Sequence, residues 1–101
     1  MANANELWGH RLKEIRTAAG LSQKTLGIQA GLDQFVASTR VNRYELGVHK
    51  ADFLIAQRLA EILNVPTAYF YTEDDRLAEL MVAYHRASAR KKAAILKTAK
   101  E

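Results

Sequence analysis

The sequence predicts an all-α fold, and three observations support that prediction. No stretch alternates apolar and polar residues with a period of two, the pattern of a half-buried strand. Apolar residues instead recur three and four positions apart in several stretches, as they do on one face of a helix. The chain of 101 residues has one proline and five glycines, so few residues interrupt long helices. Its length suits one domain with a modest hydrophobic core.

The first helix is predicted over residues 5–18, and Gly20 is its stop. Ser22 is then a candidate N-cap for a second helix, which Gly31 ends. The inner faces of these two helices are set by apolar residues at helical spacing, namely Leu7, Trp8, Leu12, Ile15, Ala19, Leu26 and Ala30.

A third helix is predicted over about residues 34–46, and Gly47 closes it. Either Asp33 or Ser38 could cap its N-terminus, because both carry a short side chain with an acceptor oxygen. Three apolar residues are expected on its buried face: Val36, Val41 and Tyr44.

The fourth helix begins after Asp52, another candidate cap, and is the predicted centre of the core. Its broad apolar stripe consists of Phe53, Leu54, Ala56, Leu59, Ala60, Ile62 and Leu63. Pro66 starts a short helical segment over residues 66–72. The aromatic residues Trp8, Tyr69, Phe70 and Tyr71 are expected to pack in the core.

Two further helices are predicted after the polar residues 72–75. Residues 76–86 align four apolar side chains, Leu77, Leu80, Met81 and Tyr84. Ser88 is the expected cap of a last helix over residues 89–99.

The formal net charge of +4 is unevenly distributed along the chain. Residues 1–75 carry eight Lys or Arg against nine Asp or Glu, whereas residues 76–101 carry seven against two. Within the first fifty residues, seven basic residues stand against four acidic ones. The excess of basic residues in the first fifty has the sign that a phosphate-facing surface requires.

Several classes of function are excluded by what the sequence lacks. It has no cysteine, which rules out a disulfide framework and thiolate chemistry. No long apolar run resembles a membrane span or a signal peptide, so a cytoplasmic protein without a membrane partner is expected. The histidines His10, His49 and His85 lack metal-ligand spacing. No catalytic motif is present, and we expect neither a cofactor nor an enzyme.

Three stretches within residues 7–72 resemble the Cro/repressor-type helix-turn-helix family, also called the xenobiotic-response-element family. In chain order they are RLKEIRTAAGLSQKTLGIQAGL, VNRYELG and LIAQRLAEILNVPTAYFY. The resemblance implies a five-helix, lambda-repressor-like DNA-binding domain over residues 5–72, whose second and third helices form the motif. Residues 76–101 are then a helical C-terminal extension used for dimerisation or packing.

The resemblance also assigns roles to individual residues. It places a phosphate or base contact at Gln23, in the first turn of the second helix, where backbone N–H groups favour a phosphate. Lys24, beside it, is a further expected DNA contact. Arg16 and Glu45 are the expected structural ion pair. Gly27 stands where the family usually has alanine, and glycine inside a helix is less stable by about 0.5–1 kcal/mol. Its small size suits a close approach of helices.

The stretch from Gly31 to Gly47 is about four residues longer than the family pattern, and the surplus lies near Asp33–Val36. Four residues make about one helical turn, so the insertion either lengthens the third helix or enlarges the turn before it. Because Phe35 and Val36 are apolar, part of the insertion is expected to pack.

The outward residues of this stretch are types that read base edges, with no acidic residue between Gln34 and Tyr44. The expected DNA contacts here are Gln34, Ser38, Thr39, Arg40, Asn42 and Arg43. Lys50, beyond Gly47, is a further expected phosphate contact.

The leading hypothesis is a bacterial or phage transcriptional regulator, chiefly a repressor. It would bind a palindromic operator in double-stranded DNA as a homodimer, and would be nucleoid-associated when bound. The chain leaves no room for a ligand-sensing domain, so no small-molecule effector is predicted. The alternative is a protein-interaction adaptor or antitoxin-like partner that reuses the fold. The net charge of −1 over residues 1–75 favours the adaptor, whereas Arg40, Asn42 and Arg43 argue against it.

Overall fold

The computed structural model describes residues 3–101, and within that range every element is helical. Six α-helices and one 3₁₀ helix follow one another along the chain. They are α1 (Ala4–Ala18), α2 (Gln23–Gln29), α3 (Ala37–Glu45), α4 (Phe53–Leu63), the 3₁₀ helix (Thr67–Tyr71), α5 (Asp75–Arg86) and α6 (Ala89–Lys100). The predicted all-α fold is confirmed, with the 3₁₀ helix as the fifth helix of the domain and α5 and α6 following it.

The core lies where α1, α2, α3 and α4 meet the 3₁₀ helix. Trp8 is buried against Phe70, with 4.8 Å between the ring centroids. The largest fully buried side chains come from every one of these elements, and they are Phe70, Leu12, Leu26, Leu59 and Val41. The core therefore joins the two helices of the motif to the rest of the domain.

Several apolar residues expected on buried faces are instead exposed, including Ala19 and Val36. Phe53 and Leu54, in the first turn of α4, are 66% and 53% exposed. Leu54 is on the opposite side of α4 from Ile55 and Leu59, and a short helix buries only the arc that faces its neighbours. Tyr71, at the end of the 3₁₀ helix, is also exposed, whereas Tyr69 and Phe70 are buried as predicted.

Side-chain caps start most of the helices. The predicted caps Ser22, Asp52 and Ser88 each accept a hydrogen bond from the backbone N–H three residues later, at 3.0, 2.9 and 3.1 Å. Such a bond satisfies one of the N–H groups that a helix leaves free at its start. These local contacts set where α2, α4 and α6 begin.

The inserted residues Asp33–Val36 form an enlarged turn, which we call the inserted turn. Helix α3 begins only at Ala37, so the prediction that it starts near residue 34 is wrong. The Asp33 carboxylate accepts from the Phe35 N–H at 2.8 Å, and the Asp33 carbonyl accepts from the Val36 N–H at 3.1 Å. These bonds close a turn of their own instead of continuing a helix. Neither Asp33 nor Ser38 caps α3, because Val36 occupies the N-cap position.

Helix α5 packs back against the domain, while α6 stands away from it. Ala78 is buried, Arg11 contacts Asp75 at 2.9 Å, and Arg86 donates to the carbonyls of Leu63 and Asn64. Helix α6 contributes no buried residue. The described chain is consequently elongated, with extents of 49 × 31 × 22 Å.

Candidate nucleic-acid interface

Helices α2 and α3 form a tightly packed pair joined by the inserted turn. A Cβ atom added at Gly27 would lie 2.8 Å from the Cβ of Ala37 and 3.0 Å from its carbonyl oxygen. Ala37 is fully buried and begins α3. Glycine at position 27 therefore lets the first turn of α3 approach α2 more closely than alanine would permit.

A buried ion pair fixes α1 to the end of α3. The guanidinium of Arg16 donates through Nε and Nη2 to both carboxylate oxygens of Glu45, with Nη2 at 3.0 Å, and Nη1 donates to the Leu21 carbonyl at 2.9 Å. The Glu45 side chain is 2% exposed. The hydrogen bond to Glu45 raises the pKa of Arg16, while burial opposes that rise. The pair is structural because its polar atoms are turned inward.

Gln23 links this ion pair to the outer face of α3. Its Nε2 donates to Oε1 of Glu45 at 3.0 Å and to Oδ1 of Asn42 at 3.1 Å. A carboxylate only accepts, so the amide nitrogen must face Glu45, and both of its hydrogens are then used. Gln23 therefore orients Asn42 and offers its own carbonyl oxygen, rather than a donor, to a ligand.

The outer face of α3 consists of five exposed polar residues, which we call the reading face: Ser38, Thr39, Arg40, Asn42 and Arg43. Arg40 is held along the helix, since its Nη2 donates to the Tyr44 hydroxyl at 2.8 Å. The single acidic residue of α3, Glu45, is buried in the ion pair. The reading face thus presents cationic and amide groups without a competing carboxylate on the same helix.

The N-terminus of α3 differs from those of the other helices. Among the six α-helices of residues 3–101, it is the one whose N-cap makes no side-chain hydrogen bond. Ser38 and Thr39 are exposed in this first turn. Free N–H groups at a helix start are suited to an anionic ligand.

The remaining expected DNA contacts lie around this helix pair. Lys24 is exposed in the first turn of α2, and Gln34 is exposed on the inserted turn. Lys50 is exposed on the loop after α3, where it lines a cavity of about 270 Å³ together with Trp8 and Tyr71. The fold brings Gln23 and Asn42 into direct contact, and it leaves Lys24, Gln34 and Lys50 exposed.

Sequence reasoning missed the role of the inserted turn. Part of the insertion was expected to pack; Val36, 42% exposed, is partly covered, whereas Phe35, 85% exposed, does not pack. The turn is anchored by its neighbours Leu32 and Ala37, both buried, and the two residues between the anchors are left outside. Asp33 was the one sequence signal for such a turn, because an aspartate can close a turn as well as cap a helix.

The largest of the cavities described in this section lies away from α2 and α3. A cavity of about 660 Å³ between α1 and α5 is lined by residues of neither α2 nor α3. Within residues 3–101, no group of His, Asp and Glu residues is arranged to hold a metal ion. No helix in the described part of the chain is long and apolar enough to cross a membrane.

The arrangement of α2, the inserted turn and α3 defines a helix-turn-helix protein. A helix-turn-helix family model matches residues 12–70, and the chain belongs to that family. This match confirms the family inferred from the three sequence stretches.

Two curated relatives have 31% identity to the chain over 65 residues, which is 64% of this chain and 44% of each relative. Both are named as uncharacterised HTH-type transcriptional regulators, from Sinorhizobium medicae (strain WSM419) and Rhizobium meliloti (strain 1021). The chain spans less than half the length of these relatives.

The chain is also similar in structure to the transcriptional regulator BswR. The TM-score is 0.86 at 39% identity, and the match covers 91% of each chain. This coverage is larger than the stretch matched by the family model. The family and the named relatives are regulators rather than enzymes, in agreement with the expectation from sequence.

Proposed function

We propose that the protein is a DNA-binding transcriptional regulator that reads double-stranded DNA through α3. One observation carries the proposal: α3 has a reading face of base-reading residue types, and its single carboxylate is buried against Arg16. In helix-turn-helix proteins the second helix of the motif enters the major groove. A helix free of outward carboxylates avoids repulsion by the phosphates that line that groove.

The residues of the reading face divide by chemistry. Arg40 and Arg43 carry the guanidinium groups that pair with O6 and N7 of guanine, and Asn42 carries the amide that pairs with adenine. Gln23 holds Asn42 by its Oδ1, which leaves Nδ2 and one lone pair of Oδ1 for the base. Ser38 and Thr39 suit several base edges or a phosphate. Lys24, Gln34 and Lys50 are proposed to contact the backbone.

We further propose that two copies bind a palindromic operator. The face of α5 opposite the buried Ala78 carries three exposed apolar side chains, Leu77, Leu80 and Tyr84, and Leu96 of α6 is exposed as well. Burial of such a face between two copies is favourable, and two-fold symmetry would present two copies of α3 to two half-sites. Occupancy of an operator by such a dimer would repress transcription, and the protein would act in the cytoplasm at the nucleoid.

A protein-interaction adaptor is the second candidate, because residues 1–75 carry one more acidic than basic residue. Binding to a random-sequence duplex, followed by fluorescence anisotropy between about 50 and 200 mM salt, distinguishes the two functions. A regulator binds weakly, and its affinity falls steeply as salt rises, because bound phosphates release counterions. An adaptor shows no binding near 50 mM salt.

Variants that each lack one basic side chain show which residues contact the phosphates. Removing the side chain of Lys24 or Lys50 should flatten the dependence on salt, since each phosphate contact contributes to the slope. Arg90→Ala, on the exposed α6, is the matched control because it removes a positive charge distant in sequence from the motif. If affinity depended on salt equally in the Lys24→Ala, Lys50→Ala and Arg90→Ala variants, the phosphate-binding surface would lie outside the helix-turn-helix.

A further inference from the structure

Phe35 is an exposed aromatic residue whose backbone is held in place by the inserted turn. Its side chain is 85% exposed, although its backbone N–H donates to the Asp33 carboxylate at 2.8 Å. Leu32 and Ala37 anchor the two ends of the inserted turn in the core. The exposure therefore does not come from a loose loop, because the backbone of the turn is held next to the start of α3.

Phe35 lies close in sequence to the reading face of α3. Positions 35, 39 and 42 are separated by four and then three residues, and all three are exposed. Thr39 and Asn42, three residues apart on α3, share one side of that helix. Phe35 belongs to the turn that precedes α3, in which the Val36 N–H donates to the Asp33 carbonyl and Val36 is the N-cap of the helix. The exposed ring of Phe35 therefore belongs to the residue two positions before α3 begins, next in sequence to the N-terminal end of the reading face.

We propose that Phe35 reads the 5-methyl group of one thymine in each half-site. The inference rests on the proposed function, in which α3 enters the major groove with its N-terminal end against the bases. A phenyl ring has neither donor nor acceptor, and the one apolar group that a base pair presents in the major groove is the thymine methyl. The nearby Asp33 carboxylate directs one oxygen to the backbone N–H of Phe35.

Deoxyuridine tests the proposal, since it differs from thymidine only by lacking this methyl group. The duplex most strongly enriched by the wild-type protein is prepared with each thymine replaced in turn by deoxyuridine. At one position per half-site, the wild-type affinity should fall about fourfold, the factor expected for one buried methyl group. Phe35→Ala should bind the two duplexes equally at that position, and Phe35→Leu should keep part of the difference.

Phe53→Ala is the matched control, because Phe53 is also an exposed aromatic residue but lies on α4, outside the motif. It should retain the full methyl dependence of the wild type. If Phe35→Ala shows the same methyl dependence as the wild type, or if no thymine methyl affects wild-type binding, the role of Phe35 is refuted while DNA binding stands. If no duplex is enriched at all, the proposed function fails together with this inference.

Discussion

The side-chain amide of Gln23 donates to Oδ1 of Asn42 at 3.1 Å, across the gap between α2 and α3. The same nitrogen donates to the buried Glu45 carboxylate, which Arg16 neutralises. A continuous polar chain thus leads from a buried ion pair to an outward amide on the reading face. Preorganisation of this kind makes the orientation of Asn42 depend on residues that face the interior.

Gln23→Ala should change sequence preference as well as affinity. Without the amide, Asn42 is free to rotate, so discrimination at the base pair it reads should fall by about 1 kcal/mol. Affinities for a set of duplexes with single base-pair substitutions measure this effect. Lys24→Ala is the control from the same turn of α2, and it should weaken all duplexes alike. A uniform loss for Gln23→Ala would mean that Gln23 contacts only the backbone.

Arg16→Ala should strongly destabilise the fold. It leaves the Glu45 carboxylate buried without its cation, a change that costs about 3–5 kcal/mol for a well-buried pair. Urea unfolding followed by circular dichroism gives the free energy of unfolding. Arg43→Ala removes an exposed arginine from α3 and should shift that energy by no more than about 0.5 kcal/mol. Similar stabilities of the two variants would contradict a structural role for the pair.

Gly27→Ala should destabilise the protein, although alanine normally favours a helix by about 0.5–1 kcal/mol. The added methyl group would meet the Cβ of Ala37 at 2.8 Å, and overpacking of this kind costs about 1–3 kcal/mol. Combining it with Ala37→Gly removes the facing methyl and should recover part of the loss, as a double-mutant cycle in urea would show. A stabilised Gly27→Ala variant would mean that α2 and α3 are less closely packed.

Leu80→Glu should separate the proposed dimer without unfolding the domain. Leu80 is half exposed on the apolar face of α5, and a charge there would be buried between two copies. Analytical ultracentrifugation should find a dimer for the wild type and a monomer for the variant, with affinity for a palindromic duplex lower by about 100-fold or more. Glu79→Ala, the neighbouring exposed position, should leave the dimer intact. A monomeric wild type would refute the proposed dimer.

The helix caps show which parts of the fold can be predicted from sequence. Ser22, Asp52 and Ser88 act on backbone N–H groups three residues away, so the sequence itself contains both partners. The role of Asp33 was ambiguous, because the sequence places backbone N–H groups within its reach in either a cap or a turn. An aspartate can cap a helix or close a turn, and the choice depends on where the buried residues Leu32 and Ala37 are held.

The candidate site was less accessible to sequence reasoning. The contact between Gln23 and Asn42 joins residues 19 positions apart, and no periodicity reveals it. The exposure of Phe35 likewise depends on the tertiary anchors of the inserted turn. Apolar character alone predicts packing, and it cannot show which arc of a helix or turn the neighbouring elements cover.

In-vitro selection of DNA by the wild-type protein and the Arg40→Ala/Asn42→Ala variant tests the central claim most directly. We expect the wild type to enrich one sequence from random duplexes, with guanine and adenine at positions where the variant loses its preference. The variant should still fold, because both side chains are exposed on α3. Enrichment of the same sequence by both proteins, or of none by the wild type, would contradict the claim that α3 reads DNA.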